Sequence, residues 1–351
     1  MATPDIKIYG AGIFGLSIGF EILKRGFKVE IQDISKPGLG ASGGLLGALA
    51  PHTPDNWNEK KEFQLSSLLM QNKFWAEIYD ISGINVEYFQ NGRIIPLINE
   101  RAVQLSLGRT KSAEKLWKGF ANWETLDQID KNWYIHSPTG FYSYDTMSAQ
   151  LNPRKACKSL EIAIKKMGGT IKVDSNTDIN SDGIEIWATG YKGLNQLSSE
   201  FNKPFGEGVK GQAALLTLDR RDYPQLFTDG IHIIPQQNNC VAIGSTSETN
   251  WHHEETDFKL DQIIQKARQV CPALMNSGIR ETWSGIRPRV KGRSPLLGPH
   301  PSKDNIFIAN GGFKIGLGLA PKIAEVTAEF ILNKQNMIPK RFTPSHVMSL
   351  I

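Results

Sequence analysis

Gly10-Ala11-Gly12-Ile13-Phe14-Gly15 stands between a short β-prone run, Asp5–Tyr9, and a run with apolar residues at helical spacing, Ile13–Lys24. Each glycine has its own reason. Gly10 permits a tight turn after the strand, Gly12 lets a pyrophosphate approach the backbone, and Gly15 lets the helix pack closely on the sheet. The helix start also presents N–H groups and a partial positive charge to phosphates. Phe27–Ile31 reads as the next strand and ends at Asp33, 18 residues beyond Gly15. A carboxylate there can accept hydrogen bonds from ribose hydroxyls and would repel a 2′-phosphate. This strand–helix–strand order predicts a dinucleotide-binding unit, without separating a flavin from a nicotinamide dinucleotide.

The rest of the chain alternates in texture. Residues 36–47 are glycine-rich and read as loop, and Glu59–Tyr79 reads as a helix. Val86–Gln90 and Arg93–Leu97 flank Asn91-Gly92, which predicts a hairpin with a type I′ turn. Glu100–Phe120 reads as helix and residues 121–145 as irregular. Asn152-Pro153 opens a helix expected to stop at Gly168-Gly169. Thr170–Val173 and Gly183–Trp187 read as strands, the latter followed by Ala188-Thr189-Gly190. Gly208–Leu218, Ile231–Pro235 and Cys240–Ser245 read as antiparallel strands, with Asn238-Asn239 as a turn. Leu260–Val270 reads as helix, Asn305–Asn310 as strand and Pro321–Leu332 as helix. With 351 residues, about two domains are expected. The alternation makes them interleaved rather than serial.

Composition excludes several classes. The net charge of +5 comes without a dense Lys/Arg run, so nucleic acid is not an expected partner. Cys157, Cys240 and Cys271 are far apart, which argues against a disulfide framework or a zinc ribbon. His252-His253 lacks a third ligand at useful spacing and reads as a polar turn, so no metal is expected. Ile6–Ile22 is too interrupted by glycines and charges to span a bilayer. A cytoplasmic protein is the expectation.

Three further segments carry chemistry. Gly40-Ala41-Ser42-Gly43-Gly44 leads into Leu46-Gly47-Ala48-Leu49-Ala50-Pro51, a small-residue loop suited to close contact with a large cofactor. Trp283-Ser284-Gly285-Ile286-Arg287-Pro288-Arg289 sets an arginine between rigid neighbours. Its planar donor fork matches a carboxylate. Ile308–Pro321 passes from a strand through Gly311-Gly312-Phe313-Lys314-Ile315-Gly316-Leu317-Gly318 into a helix, again presenting backbone N–H groups.

Taken together, from about residue 5 to about 333, the chain resembles the FAD-dependent D-amino-acid oxidase (DAO) family, nearest its glycine oxidase and sarcosine oxidase branch. The resemblance rests on the Gly40–Pro51 stretch, Val209-Lys210-Gly211-Gln212, Ile243-Gly244-Ser245-Thr246-Ser247-Glu248, the Gly285–Pro288 segment and the Gly311–Pro321 segment, in the family's order. It implies an α/β fold of p-hydroxybenzoate-hydroxylase-like architecture. A Rossmann-type FAD-binding domain (1–82, 146–205 and 284–340) is interleaved with an antiparallel-sheet α+β substrate domain (83–145 and 206–283), and 341–351 form a tail.

The resemblance also implies roles for individual residues. Gly10, Gly12, Ile13, Phe14, Gly15, Asp33, Ile34, Ala41, Ser42, Leu46, Gly47 and Ala48 would line the ADP portion and linker of a non-covalently bound FAD. Thr177 would approach the adenine. Gly190 would also face the cofactor, and Gly312, Phe313, Lys314, Ile315, Gly316, Leu317 and Gly318 would line the isoalloxazine. Arg287 would grip a substrate carboxylate. Relatives usually carry Arg-Asn where this chain has Lys314-Ile315, and a tyrosine where it has His232, so Lys314 and His232 are expected at the reacting end.

The implied activity is oxidation of the C–N bond of a small amino acid such as glycine, sarcosine or a D-amino acid. Hydride would pass from Cα to flavin N5, giving an imine that hydrolyses to an oxo acid and an amine. Electrons would then go to oxygen or a carrier. Two alternatives are an FAD-dependent oxidoreductase acting on a tRNA wobble uridine, and a flavoprotein subunit of a larger amino-acid dehydrogenase. The sequence leaves the oligomeric state open, a homo-oligomer included.

Overall fold

The computed structural model describes residues 5–173 and 183–351. Six strands form one sheet in the spatial order Leu296–Pro299, Ile306–Asn310, Ile184–Trp187, Ile6–Tyr9, Val29–Asp33, Thr170–Val173. Neighbours run parallel, except that the first two are antiparallel. Ile6, Ile8, Val29 and Ile31 are buried, as expected of parallel strands covered on both faces. The covering helices are Ile13–Lys24, Glu59–Ser82, Pro153–Lys166 and Gly316–Asn333, which share one apolar core with the sheet. The carboxyl ends of the parallel strands, at Tyr9, Asp33 and Asn310, face a cavity, the usual ligand position in such sheets.

A second sheet has eight strands in the order Gly278–Val290, Gly206–Thr217, Cys240–Gly244, Ile231–Gln236, Gln225–Thr228, Arg93–Pro96, Tyr142–Asp145, Trp123–Leu126. All neighbours are antiparallel except Gln225–Thr228 with Arg93–Pro96. Helix Phe258–Val270 shares its apolar core, with Leu216, Ile233, Ile243, Leu260 and Ile264 buried together. The two longest strands pair from Gly206 opposite Val290 to Thr217 opposite Gly278, which puts Val209 opposite Arg287 and Gly211 opposite Gly285. Ala48–Leu49 and Ala149–Gln150 make a small separate pair.

Most elements fall where the periodicity put them, and the exceptions have physical reasons. The hairpin at Asn91-Gly92 does not form. Gly92 takes φ +76°, but Asn91 does not take the second positive φ that a type I′ turn needs. Instead the Asn91 side chain donates to the carbonyl of Tyr223, and Gly92 N–H donates to the carbonyl of Ser148 at 2.9 Å. Arg93–Pro96 then pairs with Tyr142–Asp145 and with Gln225–Leu226. Residues 121–145 are not irregular throughout, because Trp123–Leu126 and Tyr142–Asp145 pair within them. Pro288 lies inside the strand Gly278–Val290, which is tolerated because that strand is at the sheet edge.

The last long helix begins at Gly316, five residues before the expected Pro321. Proline has no N–H for the carbonyl four residues back. Here Gln71 Nε2 donates to the carbonyls of Leu317 and Gly318, both at 3.2 Å, and Ser67 Oγ accepts from Lys322 N–H at 3.3 Å. Helix Glu59–Ser82 thus supplies the missing partners, and the glycine-rich segment can enter the helix.

Candidate active site

A cavity of about 750 Å³ lies between the two sheets and takes its walls from both. On the parallel-sheet side, Gly10 (φ +107°) makes the turn after the first strand. A Cβ there would lie 2.3 Å from the carbonyl oxygen of Ala188. Gly12 ends the turn as a helix N-cap with no side chain of its own to cap it. Ser42 Oγ reaches in from the 40–44 loop and accepts from Ile13 N–H at 2.9 Å. Asp33 Oδ2 accepts from Ala11 N–H at 2.6 Å, and its Oδ1 accepts from Ser35 N–H at 2.9 Å. Asp33 therefore fixes the glycine turn as well as facing the cavity.

Three helices begin on this cavity, at Ile13, Gly190 and Gly316, and none has a side-chain hydrogen bond from its N-cap residue. Apart from Ile13 N–H, which Ser42 takes, first-turn N–H groups with aligned dipoles suit phosphate oxygens and ring carbonyls. Ser284 Oγ, also on the wall, is buried without a hydrogen-bond partner. A long polar dinucleotide with a flat ring, as FAD is, fits these donors and the glycine cradle. The backbone of Gly10–Phe14 and Ala41–Ser42 would hold its phosphates, Asp33 would face the ribose, and Gly312–Leu317 would lie along the ring.

On the antiparallel-sheet side the wall is charged. Arg287 is 8% exposed, and Nη1 donates to the carbonyl of Thr246 at 3.1 Å. A Cβ on Gly211 would sit 2.1 Å from Arg287 Cζ, so the guanidinium lies directly over a residue without a side chain. Burial lowers the Arg287 pKa to about 10, and Glu248 opposes the shift, so Arg287 stays a cation at neutral pH.

Lys314 is set beside Arg287 by a backbone bond, Phe313 N–H to the carbonyl of Pro288 at 3.2 Å. Its pKa is lowered, first by burial and then by Arg287 and Arg289. His232 packs against Phe227, with ring centroids 4.5 Å apart and planes tilted by 48°, and its Nδ1 has no partner. Burial first, then Arg93, Lys314 and Arg287, push its pKa down to about 3, so the imidazole is neutral.

Thus Arg287, Lys314 and His232 share the cavity with Gly10, Gly12, Ile13, Phe14, Asp33, Ile34, Ala41, Ser42, Leu46, Ala48, Gly190, Gly312, Phe313, Gly316 and Leu317. Gly15, Gly47, Ile315 and Gly318 do not line it. A Cβ on Gly15 would lie 1.9 Å from the carbonyl oxygen of Gly10, and one on Gly47 would lie 1.7 Å from that of Leu151. These two glycines serve close packing. Gly318 is buried beneath Leu68, and Ile315 packs on the main core. Thr177 lies outside the described residues. His52 is away from the cavity, with its N–H donating to Gln64 Oε1 at 2.8 Å.

Sequence reasoning missed Tyr191, Phe227, Ser245 and Glu254 on the wall. Tyr191 Oη donates to Glu254 Oε1 at 2.7 Å. Ser245 stands in the Ile243–Glu248 landmark, where it was given no role of its own, and the other three stand in no motif.

The chain matches the family model described as DAO, FAD dependent oxidoreductase, over residues 5–330. The glycine oxidase of Bacillus licheniformis is 24% identical over 356 residues, covering 93% of each chain. That of Bacillus subtilis is 24% identical over 355 residues, covering 94% of each. The solved structure of glycine oxidase from Geobacillus kaustophilus superposes with a TM-score of 0.85 at 20% identity, covering 97% of this chain and 98% of that one. The DAO-type interleaving of a parallel and an antiparallel sheet is thereby shown, and no described helix is long and apolar enough to cross a membrane. With its dinucleotide turn and its family match over most of its length, the chain is an FAD-dependent enzyme and belongs to the DAO family of FAD-dependent oxidoreductases.

Proposed function

We propose that this enzyme oxidises the C–N bond of a small amino acid. The observation that carries the reading is Arg287. A nearly buried guanidinium, with one bond to a backbone carbonyl and no carboxylate within ion-pair distance among the described residues, opens onto the dinucleotide cavity. Such a fork matches a carboxylate bidentately. The glycine oxidases to which the chain is similar support the same substrate class.

Arg287 holds the α-carboxylate and so fixes where Cα lies. Neutral His232 lines the cavity beside Arg287 and Lys314 and adds no charge of its own. The two cations Arg287 and Lys314 disfavour an ammonium beside them and favour the neutral amine, whose lone pair the oxidation needs. Positioning is then most of the catalysis. FAD, when bound, supplies the two-electron acceptor for the Cα hydride, which leaves an imine for water to hydrolyse; oxygen or a carrier takes the electrons onward.

The division into an FAD domain (1–82, 146–205, 284–340) and a substrate domain (83–145, 206–283) belongs to the same proposal. The strands of each sheet fall into these sets, apart from Gly278–Val290, which crosses residue 284. We place that boundary after Val290.

Anaerobic addition of glycine, sarcosine and other small D- and L-amino acids to the yellow protein tests the reading. At least one should bleach the flavin band. No bleaching by any amino acid would overturn it. Acid precipitation should release the flavin, as non-covalent binding requires.

A further inference from the structure

The charges around the reacting end do not cancel. Behind Arg287, Lys210 pairs with Asp257 at 2.9 Å and Lys259 pairs with Glu248 at 2.8 Å. Gln212 joins the two pairs, donating to Glu248 Oε1 at 2.9 Å and to Asp257 Oδ1 at 2.8 Å. That block holds two cations and two acids. Beneath His232, Arg93 pairs with Asp145 at 3.0 Å. Arg289, on the strand of Arg287, pairs with Glu207.

The cavity's own acids keep their charge but pair with neither cation. Asp33 serves the Ala11 and Ser35 N–H groups, and Glu254 takes the Tyr191 hydroxyl. What remains on the antiparallel-sheet side is Arg287 and Lys314. Neither has an acid within ion-pair distance among the described residues. The Phe313–Pro288 backbone bond holds them on one wall.

A monocarboxylic amino acid with a neutral amine brings one negative charge to these two cations. The oxidised flavin ring brings none, and the FAD phosphates would lie at the glycine turn of the other sheet. Charged groups at a binding surface are ordinarily met by charges of opposite sign on the partner. The two groups also differ in kind. Arg287 is a planar fork held flat over Gly211, suited to one fixed carboxylate, while Lys314 is a point charge on a flexible stem, suited to an anion at variable reach.

We propose that the preferred substrate is a dicarboxylic amino acid, with its α-carboxylate on Arg287 and its second carboxylate on Lys314. This rests on the C–N oxidation proposed above and narrows it.

The test uses the FAD-loaded enzyme and two readouts. The first is perturbation of the flavin absorption band by unreactive 2-hydroxy acids: malate, which mimics aspartate, against lactate, which mimics alanine, each as both enantiomers. The better malate enantiomer should bind roughly 10–150-fold more tightly than the better lactate enantiomer, the span of one charge-assisted hydrogen bond. Lys314→Met should bring malate down to the level of lactate, and Lys314→Arg should keep most of the preference.

The second readout is anaerobic flavin reduction. Aspartate, glutamate or iminodiacetate should exceed glycine, sarcosine and alanine in kcat/KM by at least about tenfold. Lactate binding as tightly as malate to the wild type would overturn the proposal, without any variant. So would a Lys314→Met variant that weakens both acids alike, because Lys314 would then act on the ring or on the α-carboxylate. Faster reduction by monocarboxylic amino acids would overturn it and leave C–N oxidation standing. If no amino acid reduces the flavin, C–N oxidation itself fails.

Discussion

The two sides of the cavity are built by different means. The parallel-sheet side is mostly backbone: a turn at Gly10, three helix starts, and one serine and one aspartate tying the turn down. The antiparallel-sheet side is mostly side-chain charge, with Arg287, Lys314 and His232 drawn from strands and loops far apart in the chain. A backbone cradle needs the right residues in order over a short stretch. A charged site also needs counter-charges withheld, and here they are withheld because the nearby acids are paired elsewhere. Loss of one side chain should therefore be mild on the first side and severe on the second.

The largest expected effect comes from Arg287→Ala. Removing one partner of a buried charge pair costs roughly 2–5 kcal/mol, which should appear as a fall in kcat/KM with FAD still bound. Arg287→Lys should recover only part, since lysine lacks the fork. Steady-state kinetics on the best substrate would decide. Near-normal kcat/KM in Arg287→Ala would transfer the carboxylate to Lys314, because Arg289 is occupied by Glu207. Gly211→Ala comes next. Its methyl would stand 2.1 Å from Arg287 Cζ and force the guanidinium aside. A displacement of about 1 Å can cost on the order of a hundredfold in rate. The flavin content should not change. Full activity would show that Arg287 works from more than one position.

The same contrast explains what could be read in the sequence. Gly10, Gly12 and Asp33 were legible because turn, cradle and strand end recur at fixed short spacing, and the helix Ile13–Lys24 agrees at both ends. Arg287 stood out only beside Gly285 and Pro288. The strand that carries it was not assigned, because its proline reads as a break unless the strand is known to be an edge. Gly211 is legible as part of a family landmark, but the guanidinium above it is not. The pairings of Lys210, Gln212, Glu248, Asp257 and Lys259 need the antiparallel register, which periodicity does not supply. At Asn91-Gly92 a strong local turn signal lost to two tertiary bonds.

A smaller effect is expected at Asp33. In Asp33→Ala the FAD would lose the ribose acceptor proposed for it, and the turn loses the bond to Ala11 N–H. Charge-assisted bonds of this kind contribute roughly 1.5–3 kcal/mol, so FAD affinity should fall about 10–150-fold. Fluorescence titration of the apoprotein would measure it. Asp33→Asn should lose less, because it keeps an acceptor for Ala11. Equal losses in the two variants would mean that the carboxylate charge, not the turn, is what matters.

The last effect concerns stability rather than rate, and it tests how strongly the charged side resists another proton. His232 has a folded pKa of about 3 against an ordinary value of 6.5. Above pH 6.5 the imidazole is neutral in both folded and unfolded chains and contributes nothing to the pH dependence. As the pH falls below 6.5, the unfolded chain takes up a proton that the folded chain refuses, so the folded state loses ground. The loss should build down towards pH 3 and then stop. Burial enforces it first, and then Arg93, Lys314 and Arg287. In His232→Phe, which keeps a ring against Phe227, this component vanishes. The wild type should therefore become progressively less stable relative to the variant between about pH 6.5 and 4. Urea unfolding of the two FAD-loaded proteins at fixed flavin concentration would show it. A constant difference across that range would mean that folded His232 accepts a proton as readily as a free histidine, and that the three cations are further from it, or better screened, than the cavity geometry implies.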